Sequence, residues 1–442
     1  MEDSNLYDIV VVGCGAAGSA AVEAARIQAP DASILFVGEE DRPAYKRTKI
    51  SKNLARGFEP NDFSLQEESW YASNGIDTAF GYRVTALDSD AHYLTLVSQP
   101  EERIATTVTW RKLILATGAA PLIPPLPHMV QERSLHAHDI AEIEELRTRV
   151  GALSKPELAV IGDGVLGVEV GEQLSKLGAT VHIIAKGQYP LGRYLNEEAG
   201  TELAGVLTEN GIHIHRPEQP LRYSLVDQKE ENCIRIGACD GEEICRVSTL
   251  VYCMGFRPRT ELAVLAGLDT GAAIRVDSKL HTSDPDIYAC GDCAEHPEGR
   301  VTHLWRDALR QGEVAGRNAT IALEGMDSSV SSHEARSGRD QESDQDQDQD
   351  QETEYVYQPF RLKCEVFDRY FFSIGRPDPA ALKNYMKREY RESDRYVCAY
   401  FGLEDKRLDG VVMYDDEERN KLYMQAVLER LTEEEFTKLA EL

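Results

Sequence analysis

Two glycine-rich stretches carry the first chemical signal: "VVGCGAAG" at residues 11–18 and "IGDGVLGVE" at residues 161–169. Each follows a run of apolar and β-branched residues, "YDIVVV" or "PELAVI", and precedes small and apolar residues at helical spacing. The pattern reads as strand, turn, helix, which is the context in which such a turn binds a dinucleotide. Gly13 and Gly162 would permit the tight turn. Gly15 and Gly164 would let the backbone approach a pyrophosphate, and Gly18 and Gly167 would let helix pack closely on strand. The phosphates would sit on helix N-terminal amides, at Ala16 and Ala17 in the first turn and at Val165 and Leu166 in the second. The strand "ASILFVGEE" ends in acids, and Glu39 is placed to accept the ribose 2′-hydroxyl. One such turn reads equally well as an ordinary βα connection. Two of them imply two dinucleotides, a bound redox cofactor and the nucleotide that reduces it.

The elements needed to position these turns define an α/β fold with two Rossmann-like dinucleotide-binding domains and a small C-terminal α+β domain. Residues 1–120 alternate strand and helix, then "WRKLILATGAAPLIPPLP" runs from a buried strand into a Gly- and Pro-rich crossover. Residues 121–247 hold the second turn and its own sheet, and residues 248–325 read as strand, loop, strand and a long helix. Residues 326–354 hold ten acids, two arginines and no aromatic residue. That composition cannot bury a core and predicts a disordered linker. Residues 355–442 regain strand patterns in "FRLKCEVFDRYFFSIG", "RYVCAYFGL" and "LDGVVMY", and close on a helix whose Thr432 and Glu435 form a capping box.

The 442 residues carry 48 basic and 76 acidic side chains, a net charge of −28. This balance excludes nucleic acid and anionic membrane as partners and is read first as a solubility or high-salt adaptation. No apolar run approaches the ~18 residues of a membrane span, and the acidic N-terminus enters its first strand by Tyr7, so a cytoplasmic location is expected. Nine cysteines scattered through apolar segments read as buried, reduced thiols. Cys290 and Cys293 form the lone C-x-x-C, which opens no helix, and no second Cys or His pair lies at ligand spacing. A metal is therefore not expected.

The loop "RPAYKRTKISK", together with "LILATGAAP", "ELAVLAGLDT" and "TSDPDIYACGDCAE", resembles the FAD-dependent pyridine-nucleotide oxidoreductases of the rubredoxin reductase and oxygenase-coupled ferredoxin reductase type. That group includes apoptosis-inducing factor. The resemblance spans residues 5–325 and implies FAD on the first turn, NADH or NADPH on the second, and an NAD(P) domain inserted in the FAD domain. It implies that Asp292 hydrogen-bonds the FAD ribityl chain and that Gly291, Ala116, Thr117, Gly118 and Gly255 line the nucleotides. Arg47 and Lys52 match basic residues near the flavin, Glu169 matches the carboxylate that pairs with that lysine, and Trp305 matches an aromatic placed against the cofactor. Lys52, Glu169 and Trp305 are the expected catalytic residues. Segment 39–52 contains no cysteine, so no redox disulfide is expected there.

Two departures from the pattern stand out. Asp163 puts a carboxylate inside the second phosphate turn, and Ala185 and Lys186 stand where many NADH-specific relatives have an acid. NADPH therefore stays open beside NADH. The tail resembles, more loosely, the C-terminal domain of rubredoxin reductases, which helps form the acceptor's docking surface. The expected partner is a small electron carrier, rubredoxin or ferredoxin, with Lys46, Lys49, Arg56, Lys383, Lys387, Arg388 and Arg391 as candidate contacts; a homodimer is left open. Two rival readings remain, an NADH oxidase using oxygen and a redox-sensing binding flavoprotein like apoptosis-inducing factor.

Overall fold

The computed structural model describes residues 6–59, 61–99, 104–218, 220–225, 233–239, 241–331 and 351–441. Among these described residues the chain forms two compact units, one drawn from the ranges 1–48, 59–120 and 256–357 and the other from 49–58, 121–255 and 358–442.

The first unit is built on a sheet ordered β3-β2-β1-β6-β5-β4, with β1 at Leu6–Val12, β2 at Ile34–Gly38, β3 at Ile76–Phe80, β4 at Tyr82–Asp88, β5 at Tyr93–Ser98 and β6 at Ala105–Leu115. Strands β3, β2, β1 and β6 run parallel, and Ile287–Ala289 joins parallel to β6. A sheet covered on both faces needs continuous apolar strands. Ile9, Val10 and Val11 in β1 and Leu113, Ile114 and Leu115 in β6 are accordingly buried. Strand β5 returns antiparallel against the first half of β6, where its exposed residues begin, and β4 pairs antiparallel with β5.

Helix α1, Ala16–Gln28, packs against the long helix Trp305–Ser331. A Cβ at Gly312 would lie 2.1 Å from the Ala17 carbonyl oxygen, and one at Gly316 would lie 2.2 Å from that of Ala21. The small-residue face of the long helix thus serves backbone-to-backbone packing against α1, and only its Ala308 end reaches toward Gly291.

In the second unit, Ile212–His215, Thr180–Ile184, Glu157–Ile161, Thr249–Tyr252 and Ser134–Leu135 form a parallel sheet in that order. Thr249–Tyr252 pairs with Glu157–Ile161 inside this sheet, so the chain returns to the first unit after Gly255 rather than at residue 248. An antiparallel sheet of Leu221–Leu225, Ile234–Ala238 and Glu243–Val247 accompanies it.

The tail folds as a five-stranded antiparallel sheet ordered Arg361–Val366, Arg369–Ile374, Leu408–Tyr414, Arg395–Gly402, Tyr385–Glu392. Two helices cover it, burying Phe372, Phe401, Tyr423 and Phe436 in one core. The strand Tyr385–Glu392, "YMKREYRE", escaped the sequence reading because it lies at the sheet edge and carries charge there, a common guard against edge pairing. The capping box of Thr432 and Glu435 is present in the last helix. The tail rests on the second Rossmann element: Asn196 donates to the Tyr396 hydroxyl (2.8 Å), the Phe367 amide donates to Glu172 (2.8 Å), and Tyr194 stacks on Phe360.

Of the segment expected to be a disordered linker, residues 326–331 continue the long helix. Its end is ordered too. Glu352 pairs with Lys279 at 2.9 Å, Glu354 accepts from Ser278 at 3.0 Å, and the Thr353 amide donates to Asn318 at 2.8 Å. The rest of that expectation, residues 332–350, lies outside the described residues.

Candidate functional site: two nucleotide cradles

The two glycine-rich turns have the same steric signature. Gly13 has φ +116° and Gly162 has φ +120°, backbone conformations that side chains rarely adopt. A Cβ on Gly13 would lie 2.1 Å from the Ala116 carbonyl oxygen, and one on Gly162 would lie 2.3 Å from that of Cys253. The third glycines repeat the pattern: a Cβ on Gly18 would be 2.0 Å from the Gly13 oxygen, and one on Gly167 would be 2.1 Å from the Gly162 oxygen. The middle glycines differ from these. Gly15 and Gly164 have open space around the Cβ position, nothing lying within 4 Å. Each of them is the N-cap of its helix, α1 or Val165–Lys176, with no side-chain cap and no acid in the first turn. Uncapped amides beside open space fit a pyrophosphate on both turns.

Around the first cradle stand Ala116, whose amide donates to Val12 (2.8 Å), Thr117, whose hydroxyl donates to the Arg259 carbonyl (3.0 Å), and Gly118. Gly291, at φ +79°, comes close enough to Ala17 that a Cβ there would lie 2.8 Å from the Ala17 Cβ. Asp292 is half-buried in the same turn, 3.9 Å from His303 Nδ1, with oxygens available to hydroxyl donors. Trp305 is half-buried at the start of the long helix and packs on the core of this unit.

Glu39 sits just past the end of β2, as expected for a ribose acceptor, but it is already engaged. Its two oxygens accept from Arg83 Nε and Arg259 Nη1, each at 2.9 Å. Burial alone would raise its pKa, yet the Arg259 and Arg83 guanidiniums hold it below the usual carboxylate range. Arg47 is occupied as well, bonded to Glu40 and at 2.9 Å to the Tyr45 hydroxyl. Arg259 lies far along the chain from Glu39, and no local pattern announces it.

The second unit brings Lys52 to Glu169, Nζ to Oε1 at 3.3 Å. Ser51, unremarked in the sequence although adjacent to Lys52, donates to the other oxygen of Glu169 at 2.9 Å. Glu169 is buried at 7 % exposure. Desolvation raises its pKa; Lys52 and Ser51 oppose that rise without cancelling it. A carboxyl whose folded pKa exceeds its unfolded value contributes stability in full below the unfolded value, and loses it as pH rises through the folded one. Removing the cation raises the folded value further. Lys52→Met is therefore expected to melt nearly as wild type below the ordinary glutamate value of about 4.3 and progressively below it as pH rises. The deficit should be roughly 1–2 kcal/mol, less than a fully buried pair would lose, because the lysine side chain is 44 % exposed. A deficit independent of pH in thermal melts would contradict the pairing.

Asp163, in the second turn, has its carboxylate beside Gly187. Its Oδ2 would lie 3.3 Å from a Cβ on Gly187, so the carboxylate turns toward the residue after the exposed Lys186. Gly255 (φ +102°) follows the strand whose Cys253 oxygen closes the turn, and its own oxygen accepts from the Leu122 amide at 2.9 Å.

Among the described residues no cysteine forms a disulfide; six of the nine are buried, Cys14 and Cys233 are half-buried, and Cys239 is exposed, against the expectation of buried thiols throughout. Burial pushes the thiols of Cys14, Cys290, Cys293, Cys364 and Cys398 above their ordinary value, and that of Cys253 up to about 12. Cys293 Sγ merely donates to the Leu115 and Cys290 carbonyls. Of the tail cations, three are paired at 2.6 Å, Lys387 with Glu389, Arg388 with Glu433 and Arg391 with Glu198, which leaves Lys383 as the exposed remainder of that expected patch. Among the described residues no helix is long and apolar enough to cross a membrane.

The family model of the pyridine nucleotide-disulphide oxidoreductases matches residues 7–312, both cradles included. The chain belongs to that family. It is an FAD-dependent oxidoreductase with NAD(P)H as its second nucleotide. Among its relatives, the ferredoxin–NAD(+) reductase component of the biphenyl dioxygenase system of Paraburkholderia xenovorans (strain LB400) is 30% identical over 297 residues, 65% of this chain and 68% of the relative. The NADH-rubredoxin oxidoreductase of Clostridium acetobutylicum is 28% identical over 311 residues, 70% of this chain and 74% of the relative. The fold matches a solved ferredoxin reductase of Rhodopseudomonas palustris with a TM-score of 0.77 at 20% identity, over 98% of each chain.

Proposed function

We propose that this chain oxidises NADH and delivers the electrons to a small iron–sulfur carrier such as rubredoxin or ferredoxin. The observation that carries this reading is a pair of sterically matched nucleotide cradles in a chain whose segment 39–52 holds no cysteine, so no redox disulfide can form there to take the electrons. Bound FAD would supply an acceptor for a hydride and a donor of single electrons. The chain's own residues supply the setting. The α1 amides hold the cofactor's pyrophosphate, and Asp292 accepts from its ribityl hydroxyls. Glu169, itself held by Ser51, keeps Lys52 in place as a local positive charge. NADH is favoured over NADPH because the Asp163 carboxylate faces Gly187, at the strand end where the adenosine ribose is read. A 2′-phosphate there would meet a negative charge.

The test is anaerobic stopped-flow on the purified yellow protein, followed by reoxidation. NADH should bleach the flavin at a rate within the usual enzymatic range of about 1–10³ s⁻¹, and NADPH more slowly. Rubredoxin or ferredoxin should then restore the colour at least about tenfold faster than dissolved oxygen, a difference of roughly 1.4 kcal/mol in barrier. Restoration by oxygen alone would make the chain an oxidase, and bleaching slower than about 0.1 s⁻¹ would favour the sensor reading.

A further inference from the structure

Outside the cradles, the second unit gathers two histidines and a cysteine. A Cβ on Gly171 would meet Ile183 and Val181, so those two residues face the helix Val165–Lys176. Strand alternation then puts His182 on the opposite face. The parallel register sets His182 beside His213, and His215 follows two residues on, on the same side. The antiparallel sheet covers this face, with Ile234, Ile236, Cys245 and Val247 packed on Ala159, Ile161 and Ile184.

There His182 Nδ1 lies 2.9 Å from His215 Nε2, and the ligand atoms of His182, His215 and Cys245 all lie within 4.8 Å of one another. The other nitrogen of His182, Nε2, lies 3.0 Å from Glu157 Oε1. An ionised carboxylate only accepts, so Nε2 carries the proton and Nδ1 presents its lone pair toward the cluster. A carboxylate behind a histidine is the arrangement that orients imidazole ligands at metal sites.

We propose that His182 Nδ1, His215 Nε2 and Cys245 Sγ bind one zinc-class divalent ion, with Glu157 orienting His182 and water in the fourth position. Two nitrogens and one sulfur suit zinc, whereas magnesium and calcium take oxygen ligands. With bonds of about 2.0–2.1 Å to nitrogen and 2.3 Å to sulfur, ligand atoms in a tetrahedral site stand roughly 3.3–3.6 Å apart. The imidazoles therefore separate slightly and the thiol closes in, movements within reach of side-chain rotation. On binding, the Cys245 thiol releases its proton to solvent and the His215 proton, which bridges Nε2 to His182 Nδ1 in the metal-free state, moves by exchange with solvent to His215 Nδ1, so the complex forms with one proton lost. The ion ties the antiparallel sheet to the parallel one, next to the strand end that leads into Lys186. There the Ala185 amide donates to the His215 carbonyl at 2.8 Å.

The FAD-loaded protein, stripped with a chelator and dialysed against zinc sulfate, should retain one zinc per chain by elemental analysis. X-ray absorption at the zinc edge should show one sulfur and two nitrogens. Cys245→Ser and His215→Gln should each weaken retention by at least about tenfold while the flavin content stays unchanged. Zinc should also raise the melting temperature of the wild type in a concentration-dependent way, but not that of Cys245→Ser. Zinc retained equally by both variants, or a shell of oxygen and nitrogen alone in the wild type, would overturn the site. So would failure of the wild type to retain zinc at all. The wild-type absorption spectrum decides the matter even if a variant does not fold.

Discussion

Gly13→Val should yield a colourless protein. The substitution forces a β-branched residue into φ +116° and drives its Cβ to 2.1 Å from the Ala116 carbonyl oxygen. That oxygen belongs to backbone anchored at the end of β6, where the Ala116 amide bonds Val12, so it cannot swing aside as a flexible side chain would. Backbone strain of this kind costs about 1–3 kcal/mol by itself, and displacement of the α1 amides adds to it. FAD affinity should fall by at least about a hundredfold, roughly 2.7 kcal/mol, enough to strip the cofactor during purification. The ratio of visible to ultraviolet absorbance measures this directly, and a folded variant with full yellow colour would remove FAD from the first turn.

The companion substitution separates the two nucleotides. Gly162→Val repeats the same clash in the other unit, 2.3 Å from the Cys253 oxygen at φ +120°. It should leave the protein yellow and reducible by dithionite. Flavin bleaching by NADH should nonetheless slow at least about a hundredfold in kcat/KM, again roughly 2.7 kcal/mol. Should this variant lose its flavin and Gly13→Val keep it, the two nucleotides would exchange places. If neither changed, the shared steric signature would have no binding role.

Both predictions rest on residues legible without coordinates, because a glycine-rich turn is a local device: its spacing along the chain is its spacing in space. The strand runs, the Thr432 capping box and the thiol-free loop were readable for the same reason, each depending on neighbours within a few residues. Long-range partners were not. Arg259 and Arg83 on Glu39, Glu352 on Lys279, and the turning of Asp163 toward Gly187 depend on which elements the fold lays side by side. The helix face of Gly312 and Gly316 illustrates the limit. Small residues at helical spacing announce a close approach, but only the packing names α1 as what approaches.

The sequence by itself determined that the chain has two dinucleotide turns, a family resemblance and no cysteine in the loop before Lys52. These are properties of residue type and short spacing, which survive in the unfolded chain. Only the tertiary structure decided that Glu169 is a buried carboxylate shared by Lys52 and Ser51, and that His182, His215 and Cys245 meet on one sheet face. Those groups sit on strands, helices and turns far apart in the chain. Their chemistry arises from burial and from distances of a few ångströms that strand order and register create.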